Sequence, residues 1–192
     1  TVSLMAIMAK LDLITLTNEQ IKGLIGVAER CNQQYKIENA DNQAITLAEK
    51  LRGRIPILIA AEHLFESTHT TKNQINENAK TFSAHFSIPE LNHHLMEGLG
   101  FPKTNRDTLL FIFYVSDLYH QRIKRRFKLT RQLVEKVNIP TFVFTVQSAI
   151  RLEQVFETIQ FGNFYSFYLA MVNGVNPAPI PTVDWFKQEL KK

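Results

Sequence analysis

The chain has 192 residues, 45% of them hydrophobic, and its 22 basic and 18 acidic side chains leave a net charge of +4. That is one domain's worth of chain with a sizeable core, and seven Gly and seven Pro argue against a low-complexity or collagen-like polypeptide. A lone Cys31 cannot close an internal disulfide, which suits a reducing, cytoplasmic setting, and no apolar run is long enough to span a bilayer.

The chain begins at Thr1, so it reads as a piece of something longer. Ser3 is placed to cap a helix whose apolar face is Leu4, Ile7, Met8 and Leu11. Lys10 and Asp12 interrupt this segment, and it lacks the basic start and cleavage site of a signal peptide. Thr17 followed by Gln20 has the form of a capping box, opening a helix with Ile21, Leu24, Ile25 and Ala28 turned inward. Residues 39–51 repeat the pattern through Ala44, Leu47, Ala48 and Leu51, and Gly53 ends the helix.

Residues 55–61 form a continuous apolar run rich in β-branched side chains, as suits a strand covered on both faces. Residues 108–115 and 141–146 repeat it, and 82–88 read as a shorter strand. Strands alternating with helices at this spacing predict an α/β sandwich around a mostly parallel sheet. Ligands of such sheets sit beyond the carboxyl ends of the strands, here after Ala61, Ile88, Val115 and Val146. The basic run Arg122, Lys124, Arg125, Arg126, Lys128 and Arg131 interleaves with Leu118, Ile123, Phe127, Val134 and Val137. That interleaving is the pattern of a helix with a solvated face and predicts no nucleic-acid partner.

Three segments offer candidate chemistry. A helix over residues 70–80 would turn Ile75, Ala79 and Phe82 to the sheet and place Gln74, Glu77 and Asn78 on another face, a carboxylate bracketed by amides. An ordinary exposed polar face would look the same. The hydroxyl-rich residues 66–71, with Ser67 and Thr68, read as a loop at a helix N-terminus that either grips a phosphate or only caps the helix. Pro89-Glu90-Leu91-Asn92-His93-His94 follows a strand and opens a helix, presenting an imidazole where a ligand would lie. The adjacent histidines diverge, and Glu62, His63 and His69 supply no HExxH arrangement, so no metal site is expected. A carboxylate and a histidine are the usual parts of proton transfer.

KNQINENAK, PELNHH and the C-terminal YSFYLAMVNGVNPAPIPTVDWFK resemble the C-terminal half of bacterial and archaeal bifunctional phosphoglucose/phosphomannose isomerases, and NQAITLAEKLRGRIPILIA matches them in character. The resemblance implies an SIS-type α/β three-layer sandwich. Residues 1–16 would be a connecting helix from an N-terminal SIS domain outside this chain, and residues 17–192 the C-terminal SIS domain. It further implies that Glu77 moves the proton between C1 and C2 of an open-chain hexose phosphate through a cis-enediol, that His93 assists ring opening, and that Lys187 handles the ring oxygen. Ser67, Thr68, Gln74, Asn78 and Asn92 would contact substrate in a homodimer that needs no cofactor. The chain departs from the family pattern at Thr70, Thr71, His94-Leu95 and the turn after Ile59-Ala60-Ala61, all at the pocket's edge. A diverged SIS module that binds a sugar phosphate without catalysis is the other expectation.

Overall fold

The computed structural model describes residues 2–192, with side chains from Leu4 onward, so the expected Ser3 cap lies outside the described side chains. Four parallel strands, β1 (Ile55–Ala60), β2 (Ala84–Ser87), β3 (Leu109–Val115) and β4 (Thr141–Thr145), stand in the order β2-β1-β3-β4. The switch of direction falls between β1 and β3, as in doubly wound sheets. The nine helices of the described chain are α1 (Val2–Lys10), α2 (Asn18–Tyr35), α3 (Gln43–Lys50), α4 (Phe65–Asn78), α5 (Leu91–His94), α6 (Asn105–Thr108), α7 (Gln121–Lys136), α8 (Arg151–Val172) and α9 (Pro181–Glu189). None is long and apolar enough to cross a membrane.

α8 is the hub of one layer. Its Phe161 stacks on Phe144 of β4 at 4.0 Å, and its Tyr165 shares a buried hydroxyl–hydroxyl bond of 2.9 Å with Tyr114 of β3. α2, α3 and α4 pack around α8. On the opposite face α7 lays Phe127 against Phe113 of β3. The α/β three-layer sandwich with a parallel sheet is therefore what the chain adopts, and β1 and β3 are its buried centre.

The capping box at Thr17 forms in both directions, at 2.9 and 3.2 Å. α3 begins at Gln43 rather than at residue 39, because Asn42 is the cap: its Oδ1 accepts from the N–H groups of Ala44 and Ile45. In α2, Leu24, Val27, Cys31 and Tyr35 are buried, whereas Ile21 and Ile25, expected inward, are exposed and border an apolar cleft of about 280 Å³ shared with Met5 and Ala6 of α1. Leu118 precedes α7 rather than belonging to its stripe, and is exposed.

A candidate active site around Glu77 and the His93 turn

The segment around Ser67 is not a loop. α4 starts at Phe65, directly after a 3₁₀ turn (Glu62–Leu64), so residues 66–71 are its first turns. The buried hydroxyls of this helix are satisfied by bonding back to its own backbone: Ser67 to the Leu64 carbonyl, Thr68 to Phe65 and Thr71 to Ser67, at 2.7–3.0 Å. Ser67 is 2% exposed and Thr68 is 0% exposed. Their hydroxyls are turned into the protein and already donate to the backbone of this helix.

The reason for the small side chains is the neighbouring helix. α4 crosses α8 so closely that a Cβ on Gly162 would lie 2.5 Å from Thr71 Oγ1 and 2.6 Å from Gln74 Oε1. Gln74 Nε2 donates to Asn163 Oδ1 at 2.6 Å and Asn78 Nδ2 to Ser166 Oγ at 3.2 Å, both on α8. Asn76 Oδ1 accepts from the N–H and hydroxyl of Ser83, tying the end of α4 to the entry of β2. The amides that bracket Glu77 in the sequence are thus staples of the scaffold. Gln74 and Asn78 do not share the environment of Glu77, which is exposed and whose carboxylate has no hydrogen-bond or ion-pair partner among the described residues. Ile75 and Ala79 pack inward as expected, but Phe82 lies beyond the helix and is 71% exposed.

Glu77 looks into a cleft of about 530 Å³, within the size range of small-molecule pockets. One wall is Asn76, Glu77, Lys80 and Phe82, and the other is Ile180, Pro181 and Val183 at the start of α9. Lys80 joins the walls. In the left-handed conformation (φ +52°), it donates through Nζ to the carbonyls of Glu77, Pro177 and Pro179. Asn173 reinforces the join through Ala79 and Thr81. Lys187 lies further along α9, exposed and outside the lining of this cleft.

His93 stands on α5, a single turn, and is exposed. Asn92 beside it is committed elsewhere: Nδ2 donates to Thr130 Oγ1 at 2.8 Å, and Oδ1 accepts from Arg126 Nη1 at 3.3 Å. That clamp fastens the His93 turn to α7. His94 folds back on Glu90 at 2.9 Å. Within this chain Glu77, His93 and Lys187 do not line a common cleft.

The strand ends hold a second polar cluster. Gln154 of α8 accepts from Ser116 after β3 at 2.6 Å, meets His63 Nε2 at 2.7 Å, and donates to the Ser148 carbonyl. Since Gln154 Oε1 is an acceptor, His63 carries its proton on Nε2. Glu157, buried, accepts from the N–H groups of Gln147 and Ser148 and from the Ser148 hydroxyl, and pairs with Arg30 at 3.3 Å. Burial pushes the neighbouring Cys31 thiol up to about 11, with Glu157 adding to it, which keeps the sulfur protonated and inert. The segment after β4 is thus braced by Gln154 and Glu157 of α8 and by Arg30 of α2. The clamping roles of Arg126, Thr130, Asn76 and Lys80 leave no signal in the sequence, because each depends on a partner outside its own helix or turn.

These features can be set beside known proteins. The model of a family described as "Bacterial phospho-glucose isomerase C-terminal SIS domain" matches residues 40–190. The chain belongs to that family. A bifunctional phosphoglucose/phosphomannose isomerase of Aquifex aeolicus (strain VF5) is 25% identical to this SIS domain over 162 residues, covering 84% of this chain and 50% of the relative. Its counterpart in Caldicellulosiruptor bescii is 29% identical over 198 residues, covering 98% of this chain and 57% of the relative. The SIS-domain chain thus spans about half the length of the curated relatives it matches. Among solved structures, a glucose-6-phosphate isomerase like protein from Thermus thermophilus superposes with a TM-score of 0.69 at 18% identity, over 83% of this chain and 54% of that one, which establishes the shared fold.

Proposed function

We propose that this SIS domain is the C-terminal half of an aldose–ketose isomerase that interconverts glucose 6-phosphate or mannose 6-phosphate with fructose 6-phosphate. The observation that carries the reading is Glu77: Gln74, Asn76 and Asn78 each make a bond to the scaffold, while the Glu77 carboxylate has no partner among the described residues and lines a ligand-sized cleft. A free carboxylate is the base this chemistry needs. It would take the proton from C2 of the open-chain aldose and return it to C1 through a cis-enediol, a transfer within one face of the sugar. His93 would carry the proton that opens the ring and Lys187 would steady the ring oxygen.

Because His93 and Lys187 lie outside the Glu77 cleft, the reading needs a second copy to complete the site, with His93 of one subunit approaching Glu77 of the other. The exposed Val183, Trp185 and Phe186 of α9 support such a contact. With the Ser67 and Thr68 hydroxyls bonded inside α4, the phosphate would be held by a further SIS domain preceding residues 1–16. Cytoplasmic residence accords with the single buried Cys31.

Glu77→Gln in the full-length enzyme is expected to lower kcat by at least about 10²–10⁴-fold, the range of a general base, while the thermal midpoint stays within about 2 °C, since no bond of the fold involves the carboxylate. Wild-type turnover in that variant would refute the assignment. The same separation of Glu77 from His93 favours a second reading, a sugar-phosphate-binding SIS module without catalysis. Thermal-shift titration with hexose 6-phosphates beside an isomerisation assay distinguishes the two, since binding without turnover supports only the second.

A further inference from the structure

The outer edge of the sheet is left open at β4. This strand is last in the order and pairs only with β3. Phe111 N–H donates to the Pro140 carbonyl, and Val146 N–H to the Val115 carbonyl. By the alternation of a parallel ladder, the even-numbered residues between them bond inward to β3. The backbone N–H and C=O groups of Thr141, Val143 and Thr145 therefore face outward, without a backbone partner among the described residues.

The surroundings of that edge are specific. Phe142 and Phe144 stack on Phe161, so the side chains of Thr141, Val143 and Thr145 lie on the α7 face. α7 lies over β3 and meets β4 at Thr141, whose hydroxyl donates to Glu135 at 2.6 Å, leaving a groove of about 420 Å³ lined by Phe113, Val115 and Val143, by the cations Lys124, Lys128 and Arg131, and by Glu135. Two of those cations have acidic partners, Lys124 with Asp117 at 3.7 Å and Arg131 with Glu135 at 2.7 Å, and Lys128 has none among the described residues. Another groove, about 340 Å³, follows the opposite flank of the strand and also includes Val143.

The geometry points to an extended acidic segment of another polypeptide as the occupant of this edge, added beside β4 as a fifth strand. The outward backbone groups of Thr141, Val143 and Thr145 supply the ladder. Apolar side chains of the segment fill the floor at Val143, and its carboxylates meet Lys128 and Lys124 on the wall. A second copy of this chain fits less well, since a twofold through the β4 edge brings two sets of the same cations together. The inference stands apart from the isomerase reading, because neither Glu77 nor His93 borders the groove.

The test uses the ¹⁵N-labelled chain and a short synthetic peptide alternating Glu and Val, with the Lys/Val peptide as its control. Binding of the Glu/Val peptide should slow amide exchange at Thr141, Val143 and Thr145 and weaken as salt is added. Lys128→Glu, an exposed change expected to leave the melting curve unaltered, should raise the dissociation constant for the Glu/Val peptide about tenfold and lower it for the Lys/Val peptide. No binding overturns the proposal and leaves the cations as guards against edge pairing. Equal binding of the two peptides, or binding that leaves the three amides unprotected, overturns it as well. Protection of those amides by protein concentration alone overturns it in favour of a second copy.

Discussion

Gln74, Asn76 and Asn78 could each bond a sugar hydroxyl, yet each is held by α8 or Ser83, whereas the Glu77 carboxylate has no partner among the described residues. The sequence exposed the motif as a unit, but only bond partners separate its staples from its acid. His85 on the edge strand β2 shows another residue-scale effect. Its ring stacks on Phe65 at 4.3 Å and on His69 at 5.1 Å, and its Nε2 is buried without a partner. Burial, then the His69 and Lys72 charges, hold its pKa below the ordinary 6.5, against the opposite pull of Glu66. Below pH 6.5 the unfolded chain therefore takes up a proton that the fold refuses. The His85 contribution is complete above that pH and declines as the pH falls toward the lowered folded value. His85→Phe should remove this component, so the urea midpoint of the variant should drop less than that of the wild type between about pH 7 and pH 5. Equal slopes in the two proteins would contradict it.

At the scale of elements, the contact that sets the site is the crossing of α4 on α8. It depends on Gly162, whose missing side chain lets Thr71 and Gln74 reach the helix. Gly162→Ala gains helix propensity but must push back a packed hydroxyl and amide, and overpacking of this kind costs about 1–3 kcal/mol. A lower denaturant midpoint with an unchanged slope is the expected result, and a stabilised variant would show that α4 has room to move away. The strands and the cap at Thr17 were legible because apolar runs and capping pairs are local signals. The Ser/Thr-rich start of α4 was not, since its helix is sustained by contact with α8 rather than by propensity.

For the molecule as a whole, α9 is the element least explained by this chain alone. It buries no residue and presents Trp185, 60% exposed, beside Phe186. If that face joins two copies, Trp185→Ala should raise the dimer dissociation constant by at least about tenfold, as truncation of a central aromatic does. Sedimentation across a dilution series reads this directly, and identical profiles would place the contact elsewhere. By itself the sequence determined the α/β class, the parallel order implied by buried strands between helices, the family, and the two motifs carrying Glu77 and His93. These follow from periodicity and from short runs of neighbouring residues. The tertiary structure alone decided which polar groups are already satisfied, that Ser67, Thr68 and Asn92 are committed to the scaffold, and that Glu77 and His93 stand apart. A hydrogen bond between residues far apart in the chain leaves no mark in the spacing of either one, and only folding brings donor and acceptor together.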